Sequence, residues 1–276
     1  MEGESLVSEQ YSRMAHVYEE RVVPRFRPIA ARTVALAALG EGERVLDVGC
    51  GTGLATLLAS QAVGAKGEVV GVDFSEGQLG IAVAKALLTG AANARFERHD
   101  ATKLAFSGAF DACVSNLGVP ADFAPALAGM GRALRSGGRL SVTEWERSGS
   151  EPFESFRRLL GERLHPNPPP DVRAAREILA RRRASFDLIG TPAAFRDALA
   201  AAGFRGVEVR SEAYDVRFAS ARDAYDFLLS WGWQEHEVRL MDGEEREGLM
   251  LDMAARFGAA PFTATWRLLH ATGHKV

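Results

Sequence analysis

Three carboxylates and a glycine triplet in the first half of the chain have the types and spacing to hold a polar ligand. Residues Val45-Leu46-Asp47-Val48-Gly49-Cys50-Gly51-Thr52-Gly53-Leu54 read as a strand, a glycine-rich turn and the start of a helix. Gly49, Gly51 and Gly53 permit unusual φ values and let a ligand approach the main chain. The helix N-terminus behind them offers unpaired N–H groups and the positive end of its dipole. Such a turn at the carboxyl end of a strand is where open α/β sheets bind ligands. The spacing is G-x-G-x-G, not the G-x-G-x-x-G of a dinucleotide fingerprint. Asp47, inside the strand, would repel a pyrophosphate but suits a ligand with an amino group or a sulfonium; otherwise it serves only the N–H groups of the loop. Asp73 ends the next strand, twenty residues after Gly53, where a carboxylate accepts both hydroxyls of a ribose. Asp100 ends a third. It is placed to accept from an adenine amino group, with the small Ala101 leaving room for the ring.

The elements that must position these groups alternate in type. Short β-rich runs at Arg44–Val48, Glu68–Val72, Arg95–Arg98, Phe110–Ser115 and Arg139–Glu144 are separated by Ala/Leu-rich helical runs at Leu54–Val63, Ser75–Leu88 and Asp122–Leu134. That alternation predicts a parallel sheet covered by helices on both faces. Ser75 and Gln78 have capping-box spacing, so Gln78 is either a cap or a ligand contact. Beyond Trp145 the run of three prolines ending at Pro170 separates two helical pieces. Thr191-Pro192 starts a helix that ends near Gly203. A strand (Gly206–Val216), two helices (Ala221–Trp231 and Glu244–Phe257) and a last strand (Phe262–Ala271) follow.

Composition excludes several classes. With 47% hydrophobic and 25% charged residues among 276, the chain is neither disordered nor collagen-like, and is expected to form one large, decorated domain. A net charge of −3 argues against a nucleic-acid partner. No run approaches the roughly 18–20 apolar residues of a membrane span. Cys50 and Cys113 form no disulfide framework, and no Cys/His spacing suggests a metal site. The polar start is not a signal peptide, so a cytoplasmic setting is expected. His99, His165 and His236 are scattered; the latter two are candidate bases. Phe227, Trp231 and Trp233 either line an apolar pocket or bury a helix.

Val45–Leu54, Val69–Ser75, Asp100-Ala101 and Phe110–Asn116 together resemble class I S-adenosylmethionine-dependent methyltransferases, especially the small-molecule "type 11" group similar to the ubiquinone- and menaquinone-biosynthesis enzymes. Leu134–Leu140 looks like that family's helix–turn–strand, with Ser136 at the usual proline. Tyr11–Tyr18 looks like its lead-in helix. The likeness covers about residues 44–145.

It implies a Rossmann-like, doubly wound, seven-stranded α/β sheet, mostly parallel with an antiparallel C-terminal strand. It implies a single domain with lead-in helices (1–41) and helical cap insertions (146–190 and 218–259). S-adenosylmethionine would lie with its methionine part along Gly49, Gly51 and Gly53, above Asp47. Asp73 would take the ribose, Phe74 would pack on the adenine, and Asp100 and Ala101 would hold its edge. Asn116 and Leu117 would face the sulfonium and the acceptor, and Tyr11 or Tyr18 would close over the cofactor. The activity implied is methyl transfer to a small, partly apolar molecule by in-line displacement, which needs no metal and no covalent nucleophile. Alternatives are a non-catalytic S-adenosylmethionine-binding protein and a nicotinamide-dependent oxidoreductase; Asp47 and the glycine spacing count against the latter.

Overall fold

The computed structural model describes residues 2–120, 122–147, 150–231 and 234–276, with side chains described except at 2–5 and 185–187. Two helices, α1 (Glu2–Arg21) and α2 (Val23–Leu36), lead in. Then β1 (Arg44–Val48), α3 (Leu54–Val63), β2 (Glu68–Asp73), α4 (Glu76–Thr89), β3 (Ala94–Arg98), β4 (Phe110–Asn116), α5 (Phe123–Ala133) and β5 (Leu134–Trp145) alternate. Helices α6 (Phe153–Gly161), α7 (Pro170–Ile189) and α8 (Pro192–Ala201) precede β6 (Phe204–Phe218). Helices α9 (Ala221–Ser230), α10 (Glu235–Val238) and α11 (Gly243–Phe257) precede β7 (Phe262–Lys275).

The seven strands form one sheet in the order β3-β2-β1-β4-β5-β7-β6. Strands β1 to β5 are parallel, and β7 runs antiparallel to both neighbours. The chain leaves β1 toward β2 on one side and returns at β4 on the other. This reversal opens a crevice at the carboxyl ends of β1 and β4, where α/β sheets bind ligands. The central strands are apolar throughout because helices cover both faces. Leu46, Val70, Cys113 and Val142 pack with Met130 and Phe195 on one face. Val45, Val69 and Val114 pack with Ala30 and Ala59 on the other.

Several elements differ from the sequence reading, β5 among them, which begins at Leu134 and not at Arg139. The last strand continues past Ala271 to Lys275, because its antiparallel partner β6 supplies hydrogen bonds as far as Phe204. A bulge between Arg205 and Glu208, with Gly206 at φ +60°, lets β6 start earlier than expected. Helix α10 was not anticipated; four residues carry too little periodicity to be seen. The cap of α8 is as expected, with the Thr191 hydroxyl accepting from Ala194 N–H at 3.2 Å. The C-terminal strands and α6, α9 and α11 enclose a second core in which Phe26, Trp145, Phe153, Phe227, Trp231 and Trp266 contact one another by ring edges and faces. Phe227 is fully buried there. Trp233 lies outside the described residues.

Candidate functional site

A cavity of about 610 Å³ lies over the carboxyl ends of β1, β2 and β4. Its first wall is the turn after β1. Gly49 N–H and Cys50 N–H both donate to Val72 O, at 2.9 and 3.0 Å, so the main chain is tied down to β2. Gly49 has φ +70°, and a Cβ there would fall 2.4 Å from Gly118 O, a backbone atom of the turn after β4. Two turns therefore touch main chain to main chain, which only glycine permits.

Asp73 clamps this turn to the next one. One carboxylate oxygen accepts Gly51 N–H and the other Ser75 N–H, both at 2.9 Å. The group is 9% exposed, and burial raises its pKa. Phe74 N–H adds a third main-chain donor, and the carboxylate lines the cavity. Asp47 is fully buried beneath the turn. Thr56 donates to one of its oxygens at 2.6 Å, and the other has no hydrogen-bond partner among the described residues. Burial, with Asp73 adding to it, pushes this carboxyl up to about 7.

Of the residues singled out by sequence, Tyr11, Tyr18, Asp47, Gly49, Gly51, Asp73, Phe74, Gln78, Asp100, Ala101, Asn116 and Leu117 all line this cavity. Gly53 does not. It sits at φ +81° at the start of α3, and a Cβ would crowd Ala82 and the Phe96 ring at 3.0 Å, so it serves the junction of turn and helix. The capping box is half formed: the Ser75 hydroxyl accepts from Gln78 N–H at 3.4 Å. The buried Gln78 carboxamide has no partner among the described residues and lines the cavity instead. Asp100 caps a 3-10 turn (Ala101–Lys103), with one oxygen accepting from Thr102 N–H and hydroxyl and the other from Lys103. Tyr11 and Phe74 meet edge to face at 6.4 Å.

Leu117 has φ +59°, which an aliphatic residue rarely adopts and which costs on the order of 1–3 kcal/mol. Its N–H is held by Thr143 O at 3.0 Å, so the strain is locked in where β4 enters the cavity.

Other wall residues were not legible from sequence. Phe26 from α2, Ile178, Arg181 and Arg182 from α7, and Trp231 after α9 close the far end. They come from segments remote in sequence, and no local motif marks them. The Thr52 hydroxyl, buried and without a partner among the described residues, carries no signal of its own in the sequence because it lies inside the glycine triplet. Neither candidate base lines the cavity: His165 is exposed and His236 is buried in α10. His99 does line it, with Nε2 3.1 Å from Glu97. Cys50 and Cys113 are buried free thiols, pushed up by burial. No cluster of metal-ligating side chains occurs among the described residues. Among them, no helix is long and apolar enough to cross a membrane.

Comparison with known proteins agrees with this geometry. Residues 45–138 match the family described as "Methyltransferase domain". The chain is 30% identical over 278 residues to the nocamycin O-methyltransferase of Saccharothrix syringae, covering 95% of this chain and 96% of that protein. It is 35% identical over 144 residues to the demethylmenaquinone methyltransferase of Staphylococcus aureus, covering 50% of this chain and 56% of that one. A solved S-adenosylmethionine-dependent methyltransferase from Aquifex aeolicus superposes with a TM-score of 0.53 at 14% identity, over 95% of this chain and 98% of that one. The chain belongs to the class I S-adenosylmethionine-dependent methyltransferases. Its cofactor is S-adenosylmethionine and its acceptor a small molecule.

The residues present fit that cofactor. The buried polar atoms left without partners on Asp47, Thr52 and Gln78 all belong to this one cavity. Buried polar groups are ordinarily satisfied, and a polar ligand in this cavity would supply the partners these lack.

Proposed function

We propose that the protein methylates an oxygen of a largely apolar small molecule, with S-adenosylmethionine at the glycine-turn end of the cavity and the acceptor at the end walled by Phe26, Leu117, Ile178 and Trp231. The observation that carries this reading is the difference in lining between the two ends of a single cavity. Two buried carboxylates and partnerless amide and hydroxyl groups lie at one end, and Phe26, Leu117, Ile178 and Trp231, with Arg181 and Arg182 beside them, at the other. A relative matched along nearly its whole length is named an O-methyltransferase, which favours oxygen over nitrogen or carbon.

In this reading the ammonium of the cofactor's methionine part faces Asp47, its ribose hydroxyls donate to Asp73, and its adenine rests between Phe74 and Ala101 with Asp100 at the edge. The cofactor supplies a methyl group already activated by a sulfonium. The protein's own residues hold an acceptor oxygen close and in line, and exclude water. Tyr11 and Tyr18 of α1 cover the cofactor. The segments 146–190 and 218–259 form a cap on a single domain, with α7 and Trp231 shaping the acceptor end. Buried free thiols are in keeping with a reducing, cytoplasmic setting.

The test is transfer of a labelled methyl group from S-adenosylmethionine to a panel of apolar phenols, enols, amines and thiols, with product analysis. Methylation confined to oxygen is expected. For the acceptor found, Trp231→Ala is expected to raise KM about tenfold while S-adenosylhomocysteine affinity stays within about twofold. Methylation of nitrogen alone, or equal loss of both affinities, would overturn the assignment.

A further inference from the structure

A row of buried polar side chains crosses the sheet beside the cavity. Asn116, Thr143 and His270 are register partners on β4, β5 and β7, and so lie side by side on one face. Thr33 of α2 packs against that face, and Tyr214 of β6 continues the row outward. The Thr33 hydroxyl donates to Asn116 Oδ1 at 3.0 Å and lies 2.6 Å from the Thr143 hydroxyl. The Thr143 hydroxyl is 2.7 Å from His270 Nδ1, and His270 Nε2 is 2.7 Å from the Tyr214 hydroxyl. Beyond Tyr214, Glu212 holds Arg32 through both carboxylate oxygens. Thr33 and Thr143 are fully buried and His270 is 1% exposed. No ligand contact explains the row, since only Asn116 lines the cavity.

Each link holds one proton, so the direction of the whole row is set at its two ends, the outer of which is the Glu212 carboxylate, accepting from the Tyr214 hydroxyl at 3.3 Å. Thr33 also approaches Ile29 O at 3.0 Å. Ile29 O and Asn116 Oδ1 can only accept, so the Thr33 proton is committed to that side. The Tyr214 hydroxyl lies nearer His270 Nε2, at 2.7 Å, than Glu212, whose two oxygens already hold Arg32, so the inner end sets the order: Thr143 donates to Thr33, His270 Nδ1–H to Thr143, and Tyr214 to His270 Nε2. Burial keeps the imidazole neutral by pushing its pKa down to about 4, so it carries the one N–H this order requires. Were every link reversed, Thr33 would present a lone pair to Asn116, whose carboxamide would turn over and show its oxygen to the cavity.

We propose that Thr33, Thr143, His270 and Tyr214 are positioning residues that fix the Asn116 carboxamide with its NH2 group toward the methyl acceptor. This rests on the reading above, in which the acceptor occupies that end of the cavity. The consequence is chemical selectivity. A fixed N–H donor stabilises negative charge developing on an acceptor oxygen as its proton leaves, and costs nothing to orient at that moment. It also disfavours an acceptor whose reacting atom carries only donors.

The test measures the imidazole directly, by long-range 1H–15N NMR on the full chain labelled with 15N-histidine and saturated with S-adenosylhomocysteine. The expected result is the Nδ1–H tautomer for His270. Thr143→Val removes the acceptor for that proton, so His270 is expected to switch to the Nε2–H form, donating to Tyr214, and Thr143→Ser is expected to restore Nδ1–H. An Nε2–H tautomer in the wild-type protein, or an Nδ1–H tautomer that persists in Thr143→Val, would overturn the proposal. With the acceptor identified by the methyl-transfer panel, kcat should fall on the order of tenfold or more in Thr143→Val and recover in Thr143→Ser. An unchanged kcat would also overturn it. Calorimetry with S-adenosylhomocysteine on the same samples separates the two levels. Absence of binding to the wild-type protein would defeat the cofactor reading, whereas unchanged binding in Thr143→Val with a switched tautomer isolates the effect at Asn116.

Discussion

The two ends of the cavity are built in different ways. The cofactor end is made largely of main chain: Gly49 against Gly118, Gly51 N–H on Asp73, and Cys50 N–H on Val72. The acceptor end is made of side chains delivered by α2, α7 and the residue after α9. A wall of backbone fixes a ligand whose shape never changes. A wall of large side chains can be refitted to a new acceptor by substitution, without disturbing the sheet. The comparison makes a quantitative claim: changes at the first end should act on cofactor affinity and fold together, and changes at the second on the acceptor alone.

The severest challenge is Gly49→Ala. The new Cβ would sit 2.4 Å from Gly118 O, and neither partner is a flexible side chain that could yield. The left-handed φ adds strain. A loss on the order of 4 kcal/mol is expected, at the upper end of single substitutions. It should appear as a large drop in thermal midpoint and no calorimetric binding of S-adenosylhomocysteine. A variant that melts and binds normally would mean the contact of the two turns is incidental.

Asp73→Ala comes next. It removes the acceptor for three main-chain N–H groups and the one proposed for the ribose. Loss of a buried, charge-assisted acceptor is worth about 3 kcal/mol, or roughly a hundredfold in affinity for S-adenosylhomocysteine. Unchanged affinity would remove Asp73 from the site.

Asp47 ties affinity to pH. Its carboxyl titrates near 7 in the folded chain, well above its unfolded value. The folded state therefore holds a proton that the unfolded chain has released, and stability declines as pH rises from about 4 through 7. A ligand carrying an ammonium draws that pKa down and expels the proton on binding. Affinity for S-adenosylhomocysteine should rise with pH, by up to about tenfold per unit below 7, and level off above it. Calorimetry in buffers of different ionisation enthalpy counts the proton. Asp47→Asn should flatten the profile, weaken binding at pH 8, and leave the free protein more stable there.

The difference between the ends also explains what could be read in the sequence. Gly49, Gly51, Asp73, Phe74, Asp100 and Ala101 lie within a few positions of strand ends, and the local pattern that makes the turn also makes the site. The parallel pairing of β1 to β5 follows from the same alternation of runs. Trp231 and Ile178 carry no such signal, because an aromatic or aliphatic side chain in a helix looks the same whether it faces a core or a cavity. Gly53 shares the triplet's spacing, but its conformation serves the start of α3. Gln78 satisfied the spacing of a capping box, yet burial beside the cavity turned its amide away from the backbone. The row from Asn116 to Tyr214 could not be seen at all, since its hydrogen bonds join residues between 56 and 127 positions apart.

The smallest expected effect falls at the rim of the cofactor end and tests how far the backbone rule extends. Asp100 lines the cavity like Asp73, but it lies two residues past the end of β3 and its partners are different. Partial burial raises its carboxyl pKa, and the hydrogen bonds from Lys103 and Thr102 outweigh this and hold it below the usual range. Lys103 is long and exposed, so that ion pair contributes little and can rearrange. Asp100→Asn keeps a carbonyl oxygen for Thr102 and for an adenine amino group. Its cost should therefore be about threefold in S-adenosylhomocysteine affinity, with no change in melting beyond about 0.5 kcal/mol. A loss as large as that of Asp73→Ala would show that charge at the adenine edge matters as much as main-chain anchoring. A threefold loss would confine rigid recognition to the two turns that touch at Gly49 and Gly118.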